Sequence, residues 1–335
     1  MEPPWVDRPA RIRQKRGMPR LSFHAAPAKD ANRRLGVIDI ARGVALLAMV
    51  VYHASWDLTF LGLAQFDLLT DPLWLGARTL ILGSFLLLVG VSLVLATERS
   101  LDRRRFARRL LTLVLAAAAV SAVSYAMFPE SPIFFGVLHH IAVASVLGLA
   151  FLRLPWPVLL LLGAAVIVVG MTVASPLFDA PWLRWIGLMT FEPESNDYVP
   201  LFPWFGAVLF GIAFGHLWRP QEALGPRTVV GRGFAWAGRH SLAIYLIHQP
   251  LLFGALSLAA MGIGVDPPDV RNFLDSCTES CASSGGDVAQ CTARCRCVTG
   301  DLERAGLWNG FINDRLTNKE MSSVNDILQR CSEPK

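Results

Sequence analysis

Seven apolar runs of about twenty residues alternate with short polar stretches, at about 36–57, 74–96, 110–128, 134–152, 157–175, 200–218 and 240–262. Each approaches the ~20 residues that a helix needs to cross the bilayer hydrocarbon, where a spanning segment must satisfy its own backbone hydrogen bonds. The pattern predicts an all-α, polytopic membrane helix bundle of about seven transmembrane helices. The second run reads LWLGARTLILGSFLLLVGVSLVLA, and the third LLTLVLAAAAVSAVSYAMF. The fifth, PVLLLLGAAVIVVGMTVA, is almost free of polar atoms and reads as the most lipid-exposed. The fourth, sixth and seventh carry His and Gly and read as facing the bundle interior.

The first run breaks its own apolar pattern with Asp39, Arg42, His53 and Asp57. Ionisable groups inside a membrane helix are costly, so each marks a functional site by default. At 100° per residue, Arg42 and His53 point within about 20° of one another and lie about 16 Å apart along the helix axis. Asp39 and Arg42 are three residues apart, and His53 and Asp57 four, so each pair shares a face. One stripe therefore offers an acid–arginine pair near one end and a histidine–acid pair near the other. Val44, Leu46, Leu47, Met49 and Val50 are left to face lipid or neighbouring helices. The competing reading of the stripe is a buried polar network that only holds helices together.

Composition agrees with a membrane protein. Of the 335 residues 53% are hydrophobic and 17% charged, where a soluble domain carries about 25% charged. The net charge of +5 is unevenly spread, and its asymmetry speaks to topology rather than to nucleic acid. Lys and Arg crowd the N-terminal arm (Arg8 to Arg34), the stretch Arg99 to Arg109, and the stretch Arg219 to Arg239. The alternating loops are acidic or neutral (Asp67 and Asp71; Glu130; Asp179, Glu192, Glu194 and Asp197). Positive loops stay inside, which predicts a cytoplasmic N-terminus and an external C-terminus. The arm carries no apolar core or cleavage site of a signal peptide, and its composition predicts disorder to about Asn32. Trp182, Trp185, Trp204 and Trp218 read as interface-belt aromatics.

After Gly264 the composition changes. All six cysteines fall there: Cys277, Cys281, Cys291, Cys295, Cys297 and Cys331. Cys277/Cys281 and Cys291/Cys295 each lie four apart and share a helix face. Two disulfides across a helical hairpin, with Cys297–Cys331 as a third, is the favoured pairing among the fifteen that six cysteines allow. A zinc site or free thiols are the alternatives, but an external tail is where disulfides persist. The expected division is a basic cytoplasmic arm (1–34), a transmembrane domain (35–262) and a cysteine-rich, helical extracytoplasmic tail (263–335). The location expected is a bacterial inner membrane with the tail in the periplasm.

Four stretches, in order, resemble the catalytic domain of the heparan-alpha-glucosaminide N-acetyltransferase family and, more broadly, the transmembrane acyltransferases. They are RRLGVIDIARGVALLAMVVYHASWDL (from Arg33), IFFGVLHHIA (from Ile133), DYVPLFPWFG (from Asp197) and GRHSLAIYLIHQP (from Gly238). The resemblance covers roughly residues 33–262 and leaves the cysteine tail outside. It implies an acetyl or acyl group moved from cytoplasmic acyl-CoA to an extracytoplasmic or membrane-bound acceptor, a glycan hydroxyl or amine. Acetyl-CoA or another acyl-CoA is then a co-substrate, with no permanently bound cofactor and no metal. The partners implied are membrane lipids, acyl-CoA and a glycan or other small acceptor.

His53 is the candidate base, because an imidazole with an ordinary pKa near ~6.5 exchanges protons at neutral pH. Asp57 is a candidate orienter of that imidazole, and His53 could instead carry the acyl group as a relay. Arg42, its fork held by Asp39, is the candidate group for a phosphate or thioester oxygen of the donor. The arginine-rich stretch Arg99 to Arg109 suits CoA phosphates electrostatically, with topology determination as its plainer role. Of the two histidines opening the fourth run, His139 matches the family segment and is the candidate catalytic residue. His140 is assigned to an interfacial or helix-packing role. His248, Gln249, Tyr245 and Asp197 are candidate cavity residues; His248 has a structural alternative, satisfying a carbonyl that Pro250 frees. The same stripe also fits a proton or solute path, although no inverted repeat is evident. A non-catalytic scaffold with a disulfide-stapled tail is the third reading.

Overall fold

The computed structural model describes residues 28–97, 102–218 and 228–332, with side chains from Gly36 onward. The described residues form twelve α-helices and two 3-10 turns. They are α1 (Ala28–Phe60), α2 (Pro72–Thr97), α3 (Arg103–Met127), α4 (Val137–Phe151), α5 (Trp156–Thr172), α6 (Leu201–Leu217), α7 (Val229–Arg239), α8 (Ser241–Gly262), α9 (Pro268–Ser283), α10 (Val288–Arg304), α11 (Trp308–Ile312) and α12 (Asn318–Ser332). The chain is thus an all-α membrane protein. Residues 28–32, expected to continue the irregular arm, are instead helical, because α1 propagates back from the apolar span. The rest of the basic arm and Arg99, Arg219 and Arg227 lie outside the described residues.

Length and composition mark four helices as able to cross a membrane: Gly36–Phe60 of α1, and α2, α3 and α8. The apolar helices α4, α5 and α6 are shorter, at 15, 17 and 17 residues, or roughly 22–26 Å at 1.5 Å per residue. α6 is the hub. Phe205, Val208, Leu209, Ile212 and Ala213 on it pack against Leu86, Val89 and Leu93 of α2, Ala144 of α4 and Leu159 of α5. Trp204, expected in the interface belt, packs against this same core. A second cluster joins Leu113 and Ala117 of α3 to Leu138 and Ala142 of α4, with Leu242 and Tyr245 of α8 against it. α1 closes the arrangement, touching α2 on one side and α7 and α8 on the other.

α7 is the element the hydropathy pattern missed. Its Arg232 and Arg239 were assigned to a connecting loop, and eleven residues with three glycines do not look like a helix. It forms because Thr228 caps it, the hydroxyl accepting from Gly231 N–H at 3.0 Å. It also packs tightly on α1. A Cβ on Gly43 would overlap the Phe234 carbonyl, and one on Gly238 would overlap the Asp39 carbonyl. Small residues at such crossings let backbones approach within van der Waals reach, which drives helix association in lipid. This crossing brings the end of α7 beside Asp39.

The tail is a small helical unit. α9 and α10 form a hairpin closed by Cys277–Cys295 and Cys281–Cys291, and Cys297–Cys331 ties α10 to α12. This is the pairing that the i, i+4 spacing favours. Inside, Val270, Leu274, Val298, Leu302, Trp308, Val324 and Ile327 form the core. Trp308 Nε1 donates to Asp269 Oδ2 at 2.6 Å. A core this small rarely suffices alone, so covalent staples limiting the unfolded chain contribute about 2–4 kcal/mol each.

Two outcomes follow. Gly43→Val should cost roughly 1–3 kcal/mol through overpacking and lower the thermal transition in detergent. Gly254→Val on α8, where a Cβ meets open space, should leave it unchanged. Alkylation of the denatured, unreduced protein should label no cysteine, and prior reduction should expose all six.

Candidate functional site

The polar stripe of α1 meets partners at both ends. Near its start, Arg42 Nη1 donates to Asp39 Oδ1 at 3.3 Å and Arg42 Nη2 donates to Ser92 Oγ on α2 at 2.5 Å. Arg239 of α7 reaches Asp39 Oδ2 at 3.9 Å. Beside Ser92, Arg109 of α3 lines a cavity of about 10 Å³ with Val89, Leu93 and Ser145, room for about one water. One carboxylate therefore faces two guanidiniums, with a third nearby. This end is rich in hydrogen-bond donors and positive charge.

The other end has the opposite character. Asp57, 1% exposed, accepts from Gln249 Nε2 at 2.8 Å. This bond ties α1 to α8. It also orients the amide, since a carboxylate needs a donor and Gln249 must present its nitrogen. Asp57 is thus paired with Gln249 across helices rather than with His53 along its own. The His53 ring lies 5.2 Å from the ring of His248, edge to face, and 6.3 Å from Tyr52. His248 Nδ1 lies 2.7 Å from the Tyr245 carbonyl, so it donates there and leaves Nε2 as a bare lone pair. The carbonyl it reaches lies three residues back, one before the Leu246 carbonyl that Pro250 leaves without its helical donor.

Among the described residues, Asp57 Oδ2, His248 Nε2 and Gln249 Oε1 are buried without a hydrogen-bond partner. All three are acceptors. An unsatisfied buried polar group costs ~1–3 kcal/mol, and these three form a cluster of acceptors without donors among the described residues. His53, half-buried, stands beside them. The location of this cluster was legible in sequence from His53 and Asp57, but its acceptor character was not.

The remaining candidates lie elsewhere or have other partners. His139 Nδ1 accepts from Gly136 N–H at 3.2 Å, and its Nε2 lies 3.3 Å from Ser121 Oγ. Both nitrogens serve the start of α4 and its packing on α3. His140, fully buried, places Nδ1 3.2 and 3.1 Å from the carbonyls of Val199 and Pro200, and its Nε2 has no partner among the described residues. Of the adjacent pair, His140 is therefore the one with a free basic nitrogen. Asp197 Oδ2 accepts from Val137 N–H at 3.0 Å, capping α4 from a distant loop. Burial pushes the Asp197 carboxyl above the usual range. Tyr198 donates to the Arg184 carbonyl at 2.7 Å, and burial, reinforced by Glu192, pushes its hydroxyl up to about 12. Tyr245 packs against α3 and α4, 5.8 Å from the His248 ring.

Sequence reasoning missed Ser92, Arg109 as a specific neighbour of the Arg42 group, and the His53–His248 contact. A serine in an apolar run was the only available signal for the first. Breaking the Asp57–Gln249 bond should be measurable. Asp57→Ala and Gln249→Ala, alone and together, should show a coupling of roughly 1–3 kcal/mol in thermal or chemical unfolding.

Residues 34–250 match the sequence family described as heparan-alpha-glucosaminide N-acetyltransferase, catalytic. That stretch begins at the foot of the α1 stripe and ends at Pro250, one residue past Gln249, so both polar ends lie inside it. No curated protein and no solved structure matches the chain. The match spans well over half of the 335 residues, and the protein belongs to the heparan-alpha-glucosaminide N-acetyltransferase catalytic-domain family, a family of membrane acetyltransferases.

Proposed function

We propose that this protein transfers an acetyl group from acetyl-CoA, supplied at the cytoplasmic face, to a hydroxyl or amine of an extracytoplasmic or membrane-bound acceptor, a glycan or other small molecule. The observation that carries this reading is the pair of unlike polar ends on one helix. The Arg42 end offers donors and positive charge, which suits the phosphates of acyl-CoA. The His53 end offers unpartnered acceptors, which suits a nucleophile arriving with its own O–H or N–H.

His53 takes the role of general base. As the acceptor oxygen or nitrogen attacks the thioester carbon, its proton passes to His53. The carbon–sulfur bond breaks as the new ester or amide bond forms. The proton on His53 then goes to the departing sulfur, so coenzyme A leaves as the thiol. Asp57, held by Gln249, stabilises the transient imidazolium through its charge, and His248 Nε2 accepts a second hydrogen from the acceptor and orients it. The separation of about 16 Å between Arg42 and His53 along the helix axis fits a donor that lies extended through the bundle.

The orientation comes from the charge bias: seven spans, N-terminus cytoplasmic, tail outside, in a bacterial inner membrane with the tail in the periplasm. Disulfides in the tail agree with that side. With radiolabelled acetyl-CoA and purified full-length protein, label should reach a sugar acceptor, and His53→Ala should slow it by about 10²–10⁴-fold, the range for lost acid–base catalysis. Arg42→Lys should raise the KM for acetyl-CoA, because an ammonium does not reproduce the planar fork. Transfer by His53→Ala at the wild-type rate would remove the base from this scheme.

A further inference from the structure

Among the described residues, the tail reaches the membrane domain through Arg271, beside a groove. Arg271, in the first turns of α9, sends Nη2 to the carbonyl of Phe60, the last residue of α1. Gly62, just beyond, has φ +74°. A side chain is strained at that angle, and a Cβ would overlap the Arg271 guanidinium. The guanidinium lies against this turn, with its Nε buried and without a partner among the described residues. Beside it opens a groove of about 470 Å³ lined by Thr59, Gly62, Gln65, Phe66, Asp67 and Arg271.

The groove has two chemical ends. Arg271 supplies spare N–H donors and a positive charge. Asp67 supplies a carboxylate that accepts from Thr70 N–H at 2.9 Å and from the Thr70 hydroxyl. Those bonds hold it below the usual carboxylate range, so it remains an acceptor. Arg271 and Asp67 line one groove yet form no ion pair with each other. A ligand that carries an anionic group at one end and hydroxyls at the other would satisfy both. Phe60 lies seven residues beyond His53, about 10 Å along α1, so such a ligand reaches from the tail toward the acceptor-only cluster.

We propose that this groove, built jointly by the tail and the α1–α2 loop, is the acceptor subsite and takes a phosphate-linked sugar, with the phosphate on Arg271 and sugar hydroxyls on Gln65 and Asp67. Arginine suits phosphate through its forked, bidentate geometry. The phosphate belongs either to a soluble sugar phosphate or to a lipid-linked one held at the membrane surface. This inference names the acceptor class for the transfer reading above and rests on it, but its test does not need turnover.

The test is direct binding to the purified full chain in nanodiscs. The probes are N-acetylglucosamine 1-phosphate, its polyprenyl-phosphate-linked counterpart, and neutral methyl N-acetylglucosaminide. The phosphorylated sugars should bind at least tenfold tighter than the neutral one, and Arg271→Gln should erase that margin. Arg271→Gln also removes the bond to Phe60, so Gln65→Ala, which leaves that bond intact, serves as the second variant and should weaken binding several-fold. Acetyl-CoA binding should stay unchanged in both. Tighter binding of the lipid-linked probe assigns the ligand to the membrane; tighter binding of the free sugar phosphate assigns it to solution; either supports the subsite. Equal binding of neutral and phosphorylated sugars, or wild-type affinity in both variants, overturns it. His53→Ala should bind the phosphorylated probe normally. Binding through Arg271 without acetyl transfer would sink the enzyme reading alone, and transfer insensitive to Arg271 and Gln65 would sink the subsite alone.

Discussion

A carboxylate or guanidinium inside an apolar bundle must find a partner, and α1 carries enough of them to dictate which helices stand beside it. Asp39 is answered by Arg42 on its own helix and by Arg239 on α7. α7 reaches that position because Gly43 and Gly238 let the two backbones touch. Arg42 is answered again by Ser92, which fixes α2 on the other side. Asp57 is answered by Gln249, which draws in α8. The neighbours of α1 are thus chosen by polar satisfaction as much as by shape.

That satisfaction is complete at neither end, and the two ends are incomplete in opposite senses. The Asp39–Arg42 end has more guanidinium than carboxylate. The Asp57–Gln249 end has buried acceptors without donors. This arrangement leaves one end short of an anion and the other short of a hydrogen. The proposed transfer, between a negatively charged donor and a hydroxyl- or amine-bearing acceptor, would complete both. The His53 and His248 rings lie 5.2 Å apart at the second end, where that proposal has the proton move.

The disulfide-stapled tail lies outside the stretch that matches the family, yet it is joined to that stretch through Arg271 and the carbonyl of Phe60. A unit with so small a core depends on its cross-links for rigidity. That rigidity matters because Arg271 is presented by α9, where the flanking positions Val270 and Leu274 are packed into the tail core. The wall of the groove is therefore as firm as the tail itself.

Much of this was decided locally and can be read from the chain. Apolar length determines which segments enter the membrane, because backbone groups in hydrocarbon must pair within their own helix. Helical period places Asp39 with Arg42 and sets the His53–Arg42 separation, and four-residue spacing determines which cysteines can join across a hairpin. Contacts between helices are a different matter. That Asp57 binds Gln249 across helices, that His140 rather than His139 keeps a free nitrogen, and that α7 is a helix at all depend on packing between residues far apart in sequence. Hydropathy missed α7 because its helical state rests on a cap and a close backbone crossing rather than on propensity. The same holds for Arg271: no local pattern links it to Phe60, 211 residues earlier. Only the folded chain brings that guanidinium over the end of α1, since the meeting is fixed by where α8 delivers the tail.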